Sequence, residues 1–165
     1  MVNVRNRKKI LYISYDDITE PLSRSQVLPY IRHLAKEYDM FLIVYNKTLL
    51  KNDKLEEIAS RNGIRHIFQL KYHKRPSLAA TCFDIFSGLL LALKTVKKYG
   101  IRLVHARSYI AAAVGFWLKK IKGIPYIFDI RGFLADERVD SGDWSKKSVS
   151  YRMVKMLEKV MLRDA

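Results

Sequence analysis

Five short apolar runs, each separated from the next by a helical pattern, constrain this chain more than any other feature. The runs are "ILYISY" (10–15), "MFLIVY" (40–45), "IRHIFQ" (64–69), "RLVHA" (102–106) and "YIFDI" (126–130). Helical periodicity fills the gaps near 25–38, 51–62, 78–99 and 109–122. Strand, helix, strand repeated in this way predicts an α/β fold: a Rossmann-like, doubly wound parallel sheet of five strands with helices on both faces. Gly63, Gly100 and Gly123 each follow a helical run, where a left-handed cap favours glycine. In the first helix Val27, Leu28, Ile31, Leu34 and Ala35 share one face, and Pro29 must sit in its first turn or kink it. At 165 residues the chain is one domain by size.

Sheets of this kind hold ligands at the carboxyl ends of their strands, where the strand order reverses. With the expected order 3-2-1-4-5, the loops after Tyr15, Ala106 and Ile130 share that rim. Half of the 16 acidic residues fall on two of these loops, in "YDDITE" and "DIRGFLADERVDSGD", although the chain as a whole carries a net charge of +15. The positive excess favours an anionic partner such as nucleic acid, an acidic membrane surface or a phosphorylated substrate; solvated lysine-rich helix faces account for it equally well. An acidic rim repels a phosphate backbone, so nucleic acid is not expected across it, and the pattern favours a pocket.

Several chemistries are excluded by what the loops contain. One cysteine, Cys82, allows neither an internal disulfide nor a cysteine-based zinc site, in keeping with a reducing compartment. The apolar run after the basic start "MVNVRNRKK" is too short for a signal peptide, and a cytoplasmic protein is expected. No glycine occurs in residues 1–62, so neither a GxGxxG turn nor a Walker loop follows the first strand. Asp16 and Asp17 resemble the acid pair of phosphoacceptor receiver domains. The other two receiver positions hold Gln69-Leu70-Lys71 and Asp129-Ile130-Arg131, which excludes that fold's chemistry. His33, His66 and His73 have no metal-site spacing, and no metal is expected.

Phosphate could be held at the first helix by Ser23, Arg24, Ser25 and Gln26. His105 and Arg107 bracket Ala106 and point the same way if the strand stays extended, placing an acid–base group and an anion clamp beside the switch point. A packed, hydrogen-bonded histidine is the alternative. "FDIRGFLADERVDSGDW" is expected to be a long polar binding loop. In it Asp129, Arg131, Asp136 and Glu137, with Asp17 across the rim, suit the hydroxyls of a sugar, and Phe133 and Trp144 suit its ring.

Two helices carry apolar surplus. The sixteen residues "LAATCFDIFSGLLLAL" are apolar nearly all round but fall short of a membrane span and contain Asp84. Burial against the sheet is expected; the alternative is a helix dipped into a membrane surface beside Lys71, Lys74, Arg75, Lys94, Lys97 and Lys98. The last helix, about 147–163, has an apolar side (Val149, Met153, Leu157, Val160, Met161) that needs a cover.

Together, "TEPLSRSQVLPYIRHLAKEY", "LVHARSYIAAAVGFWLKKIKGIPYIFDIRGFLADE" and "VDSGDW…MLEKVMLRDA" resemble the amino-terminal domain of retaining glycosyltransferases of the GT-B fold, the glycogen-synthase-like group. The resemblance covers nearly the whole chain, residues 1–165. It implies transfer of a sugar from a nucleotide-diphosphate donor, a co-substrate with no further cofactor, to a glycan or lipid-linked acceptor. In that family this domain binds mainly acceptor, and a second Rossmann-like domain holds the donor. The family's glycine-rich loop corresponds to Leu22-Ser23-Arg24-Ser25, and its frequent active-site histidine to Arg107, with His105 two residues earlier. The donor domain has no counterpart in these residues, so the isolated chain is expected to bind acceptor with little or no turnover. A peripheral place at the inner, anionic face of a membrane would suit the charge. The competing class is a non-catalytic basic module that binds membrane or nucleic acid.

Overall fold

The computed structural model describes residues 7–73 and 77–165. The first six residues, together with Lys74 and Arg75 from the basic flank noted above, lie outside the described residues. The sheet is wholly parallel, and its order is β3-β2-β1-β4-β5, as the alternation predicts. The strands are β1 (Lys9–Ser14), β2 (Asp39–Asn46), β3 (Ile64–Lys71), β4 (Leu103–Arg107) and β5 (Tyr126–Asp129). The helices are α1 (Leu28–Leu34), α2 (Asn52–Asn62), α3 (Ser77–Tyr99), α4 (Tyr109–Lys122), α5 (Leu134–Asp140) and α6 (Val149–Asp164).

Period-two alternation divides the sheet residues between two cores. Tyr12, Met40, Leu42 and Val44 face α1 and α2. Leu11, Ile13, Phe41, Ile43, Val104 and Tyr126 face the layer of α3, α4 and α6. Both faces of the central strands are covered, which explains why β1 and β2 read as continuous apolar runs. The cover is incomplete on the α1 side of β4 and β5. There Ile127 is 47% exposed, and a groove of about 820 Å³ runs between α1 and the strand starts.

Three local features shape the connections between strands and helices. Gly63, Gly100 and Gly123 end their helices with φ of 68°, 68° and 66°, as expected of left-handed caps. Before α1, Ser23–Val27 form a π-helical turn, closed by Leu28 N–H donating to the Ser23 carbonyl. Pro29 explains it: the ring has no N–H and crowds the carbonyl four residues back, so the chain widens instead of tightening. The polar stretch after β5 is shorter than expected, because Leu134–Asp140 is helical. Asp136 and Glu137 sit in its first turn, where carboxylates suit the helix dipole, and buried Ala135 anchors it.

Helix α3 is longer than its apolar run. It packs along the sheet through Ala92 and Val96 while Phe83, Phe86 and Leu90 stay exposed. Asp84, wholly buried, accepts from Tyr15 Oη at 2.6 Å and from His73 N at 3.2 Å, so the charge inside this helix is spent on internal bonds.

Candidate functional site

Parallel register brings the chemistry to one edge. Ser14 pairs with Arg107 across β1 and β4, and Arg107 with Asp129 across β4 and β5, so three polar residues lie abreast at the strand tips. Arg107 is the hub. Its Nη1 donates to Asp129 Oδ2 at 3.2 Å, its Nη2 to Gln26 Oε1 at 2.6 Å, and its Nε lies 3.6 Å from Asp16 Oδ2. Asp16 also accepts from Ser14 Oγ at 3.2 Å, and Arg131 Nη1 lies 3.4 Å from both of its carboxylate oxygens. Two carboxylates and two guanidiniums thus neutralise one another around a shallow depression. That depression, about 400 Å³, is lined by Gln26, Tyr30, His105, Arg107, Ile127 and Asp129.

His105 and Arg107 do share a face of β4, both bordering this depression. The histidine ring is buried, stacked on Tyr12 at 4.5 Å and met edge-on by Tyr30 at 5.4 Å. Its Nε2 lies 3.4 Å from Asp129 Oδ2. This hydrogen bond, aided by Arg107 and opposed by partial burial, holds the Asp129 carboxyl below the usual carboxylate range. Asp129 is therefore an anion at neutral pH, able to accept from a hydroxyl and poorly suited to keep a proton. His105 is packed and hydrogen-bonded, the alternative weighed for it, and its Nε2 edge touches the polar cluster.

Directly after Arg107, Ser108 has φ 79° and ψ 171°, a conformation that side chains strongly disfavour. Its N–H donates to the Asp129 carbonyl at 3.0 Å, and its own carbonyl starts α4 by accepting from Ala112 N. The strained residue holds the end of β4 against β5 at the hub.

Other expected site residues sit elsewhere. Asp17 is buried and holds its own loop: Oδ1 accepts from Thr19 N and Oγ1 at 2.8 and 2.7 Å, and Oδ2 accepts from Lys47 N at 2.8 Å. Burial opposes its ionisation, but the Thr19 and Lys47 bonds outweigh it and lower its pKa. Ser23 is buried inside the π turn, while Arg24 and Ser25 point to solvent, and Ser25 Oγ donates to the Leu22 carbonyl at 3.3 Å. Asp136 accepts from Tyr151 Oη and Lys155 Nζ, both at 3.0 Å, tying α5 to α6. Glu137 is exposed and lies over Gly132.

Sequence marks Asp16 only as half of an acid pair whose receiver-type chemistry is excluded, and it does not mark Tyr30 or Ser108. The available signal for Asp16 was its spacing of two from Ser14, which puts both on one side of an extended tip. A second hollow, about 310 Å³, lies on the β2 side of Asp16 among Tyr15, Glu20, Tyr45, Lys47 and Tyr72. Among the described residues, no three His, Cys, Asp or Glu side chains are placed to hold a metal ion.

No family model matches this chain, and no curated protein matches it by sequence. Solved structures do match it in fold. A glycosyltransferase from Rickettsia africae ESF-5 is 15% identical over 74% of this chain and 29% of its own, with a TM-score of 0.50. A protein assigned as a UDP-N-acetylglucosamine 2-epimerase from Listeria monocytogenes is 13% identical over 94% of this chain and 38% of its own, with a TM-score of 0.57. The glycosyltransferase of kitacinnamycin is 12% identical over 96% of this chain and 40% of its own, with a TM-score of 0.55. These likenesses show the fold alone: a Rossmann-like α/β domain. The chain spans well under half the length of each.

Proposed function

We propose that this domain binds the acceptor for a sugar transferase, with a second α/β domain facing the rim and presenting a nucleotide-diphosphate sugar. The observation that carries the proposal is the charge-balanced cluster of Asp16, Arg107, Asp129 and Arg131 at the switch point. A cluster with no net charge but many fixed donors and acceptors suits the neutral, hydroxyl-rich surface of a glycan. Asp129 accepts from one acceptor hydroxyl and Arg131 donates to another, while His105 and Gln26 keep Asp129 and Arg107 in place. Stabilising the departing diphosphate requires further preorganised cations, which the second domain supplies. Fold likeness to two glycosyltransferases supports the same reading.

The competing reading is sugar-nucleotide chemistry without an acceptor, favoured by the fold match to the epimerase. Isothermal titration of the 165-residue chain against glycans and nucleotide sugars separates the two. Acceptor binding with negligible donor hydrolysis or transfer is expected. Brisk turnover of a nucleotide sugar by this chain alone overturns the proposal.

A further inference from the structure

The layer of α3, α4 and α6 turns an unusual surface away from the sheet. On α3, Phe83, Phe86 and Leu90 recur at three- and four-residue spacing on the side opposite the buried Ala92, and Phe86 is 58% exposed. On the adjacent α4, Trp117 and Ile121 are about half exposed. On α6, Val149, Met153, Met156 and Val160 form a third outward stripe, with Met156 60% exposed. A solvated helix face carries polar residues at such positions.

The charges on the same layer have one sign. Its carboxylates are Asp84 and Glu158, both buried, and Asp164, which is paired with Lys119 and Lys120. Exposed beside the apolar stripes are Lys94, Lys97 and Lys98 on α3, Lys122 on α4, and Arg152 and Lys159 on α6. None of these six makes an ion pair among the described residues.

We propose that this face docks on a bilayer containing anionic lipid, with the three helices lying flat. Apolar side chains enter the acyl boundary while lysines and arginines meet the headgroups, the arrangement of an interfacial amphipathic surface. A second copy of the chain would set unpaired cations against cations. Nucleic acid would satisfy the lysines and leave the aromatic and methionine side chains in water. Helix α3 has the length and composition of a membrane span over Ala79–Tyr99. It is held along the sheet by Ala92 and Val96 and by the buried bonds of Asp84, so it lies on the bilayer and does not cross it.

Flotation of the full chain with vesicles of phosphatidylcholine, or of equimolar phosphatidylcholine and phosphatidylglycerol, tests this. Binding is expected only with phosphatidylglycerol, weakening at high salt. Phe86→Ser and Trp117→Ser should each lower affinity roughly three- to tenfold, and Lys94→Gln by about fivefold. Leu49→Ser, an exposed apolar position in the loop after β2, should change nothing. In a Trp144→Phe background, Trp117 fluorescence should shift to the blue on adding anionic vesicles, a readout independent of any change on the face itself. Absence of flotation overturns the proposal, as does an equal loss with Leu49→Ser. Binding to duplex DNA that rivals vesicle binding and is unaffected by Phe86→Ser also overturns it. Vesicles offer no sugar acceptor, so failure here leaves the sugar-transfer reading untouched.

Discussion

Arg107 donates to Gln26 across 81 positions of sequence, Nη2 to Oε1 at 2.6 Å, and so ties the tip of β4 to the π turn before α1. The same guanidinium engages Asp129 through Nη1. One planar group therefore fixes three segments of the rim.

Replacing Arg107 with methionine should abolish acceptor binding and destabilise the fold by about 1–3 kcal/mol, because Asp129 keeps only His105 and Gln26 loses its donor. Lysine should not rescue binding, since a single ammonium cannot span Gln26, Asp129 and Asp16 in one plane. Urea unfolding and calorimetric acceptor titration measure the two effects separately.

The pH dependence follows from Asp129. Its hydrogen bond with His105, reinforced by Arg107, lowers its pKa in the folded chain. A folded-state pKa below the unfolded value means a stabilising contribution that is complete above about pH 4 and lost as pH falls through the lower folded value. Asp17 acts in the same direction through its bonds to Thr19 and Lys47. Carboxyl resonances of both should titrate below the ordinary aspartate range, and in Arg107→Met the Asp129 midpoint should climb while Asp17 stays unchanged.

The strands and helix ends were legible because a parallel strand buried on both faces leaves an apolar run, and because glycine marks a left-handed cap whatever surrounds it. The order 3-2-1-4-5 was the expectation for a doubly wound sheet, and it holds. From that order alone, Arg107 and Asp129 could be placed on one rim, and they are neighbours. The loops were less legible. "LADERVD" reads as polar loop, yet it is helix α5, stabilised by contacts with α6 that only the fold supplies. Asp17 looked like a ligand-binding acid and closes its own loop. Gln69 counted only against a receiver domain, but its amide clamps Leu50 at both N–H and carbonyl and bonds to Asn46. Side-chain polarity announces that a bond will form; the partner is chosen in three dimensions.

Ser108→Gly should stabilise the protein by about 1 kcal/mol, since glycine alone adopts φ near 80° with extended ψ at little cost. The gain should be accompanied by weaker acceptor binding, because a freer residue holds Arg107 and Asp129 less firmly. Thermal unfolding and acceptor titration on the same variant test the pairing. A rise in stability with unchanged binding would separate the strain from the site.

Gly88→Ala probes the packing beneath the second hollow. A Cβ at residue 88 would come within 1.8 Å of the Tyr45 hydroxyl and 3.3 Å of a Val114 methyl. Tyr45 has little room to yield: its ring is buried at the end of β2 and its hydroxyl donates to the Asp84 carbonyl at 2.9 Å. Either α3 lifts from the sheet or the ring turns and loses that bond, at a cost of about 1–3 kcal/mol. Alanine is the better helix former by up to about 1 kcal/mol, so an open site would have gained stability from the exchange. A measured loss in urea unfolding therefore reports the close contact of α3 with β2, with helix propensity working against it. Tyr45 also meets Tyr15 in a tilted contact, ring centroids 4.7 Å apart, so turning its ring should disturb the hollow beside Asp16, while the pairing of Arg107 with Asp129 and Gln26 stays intact.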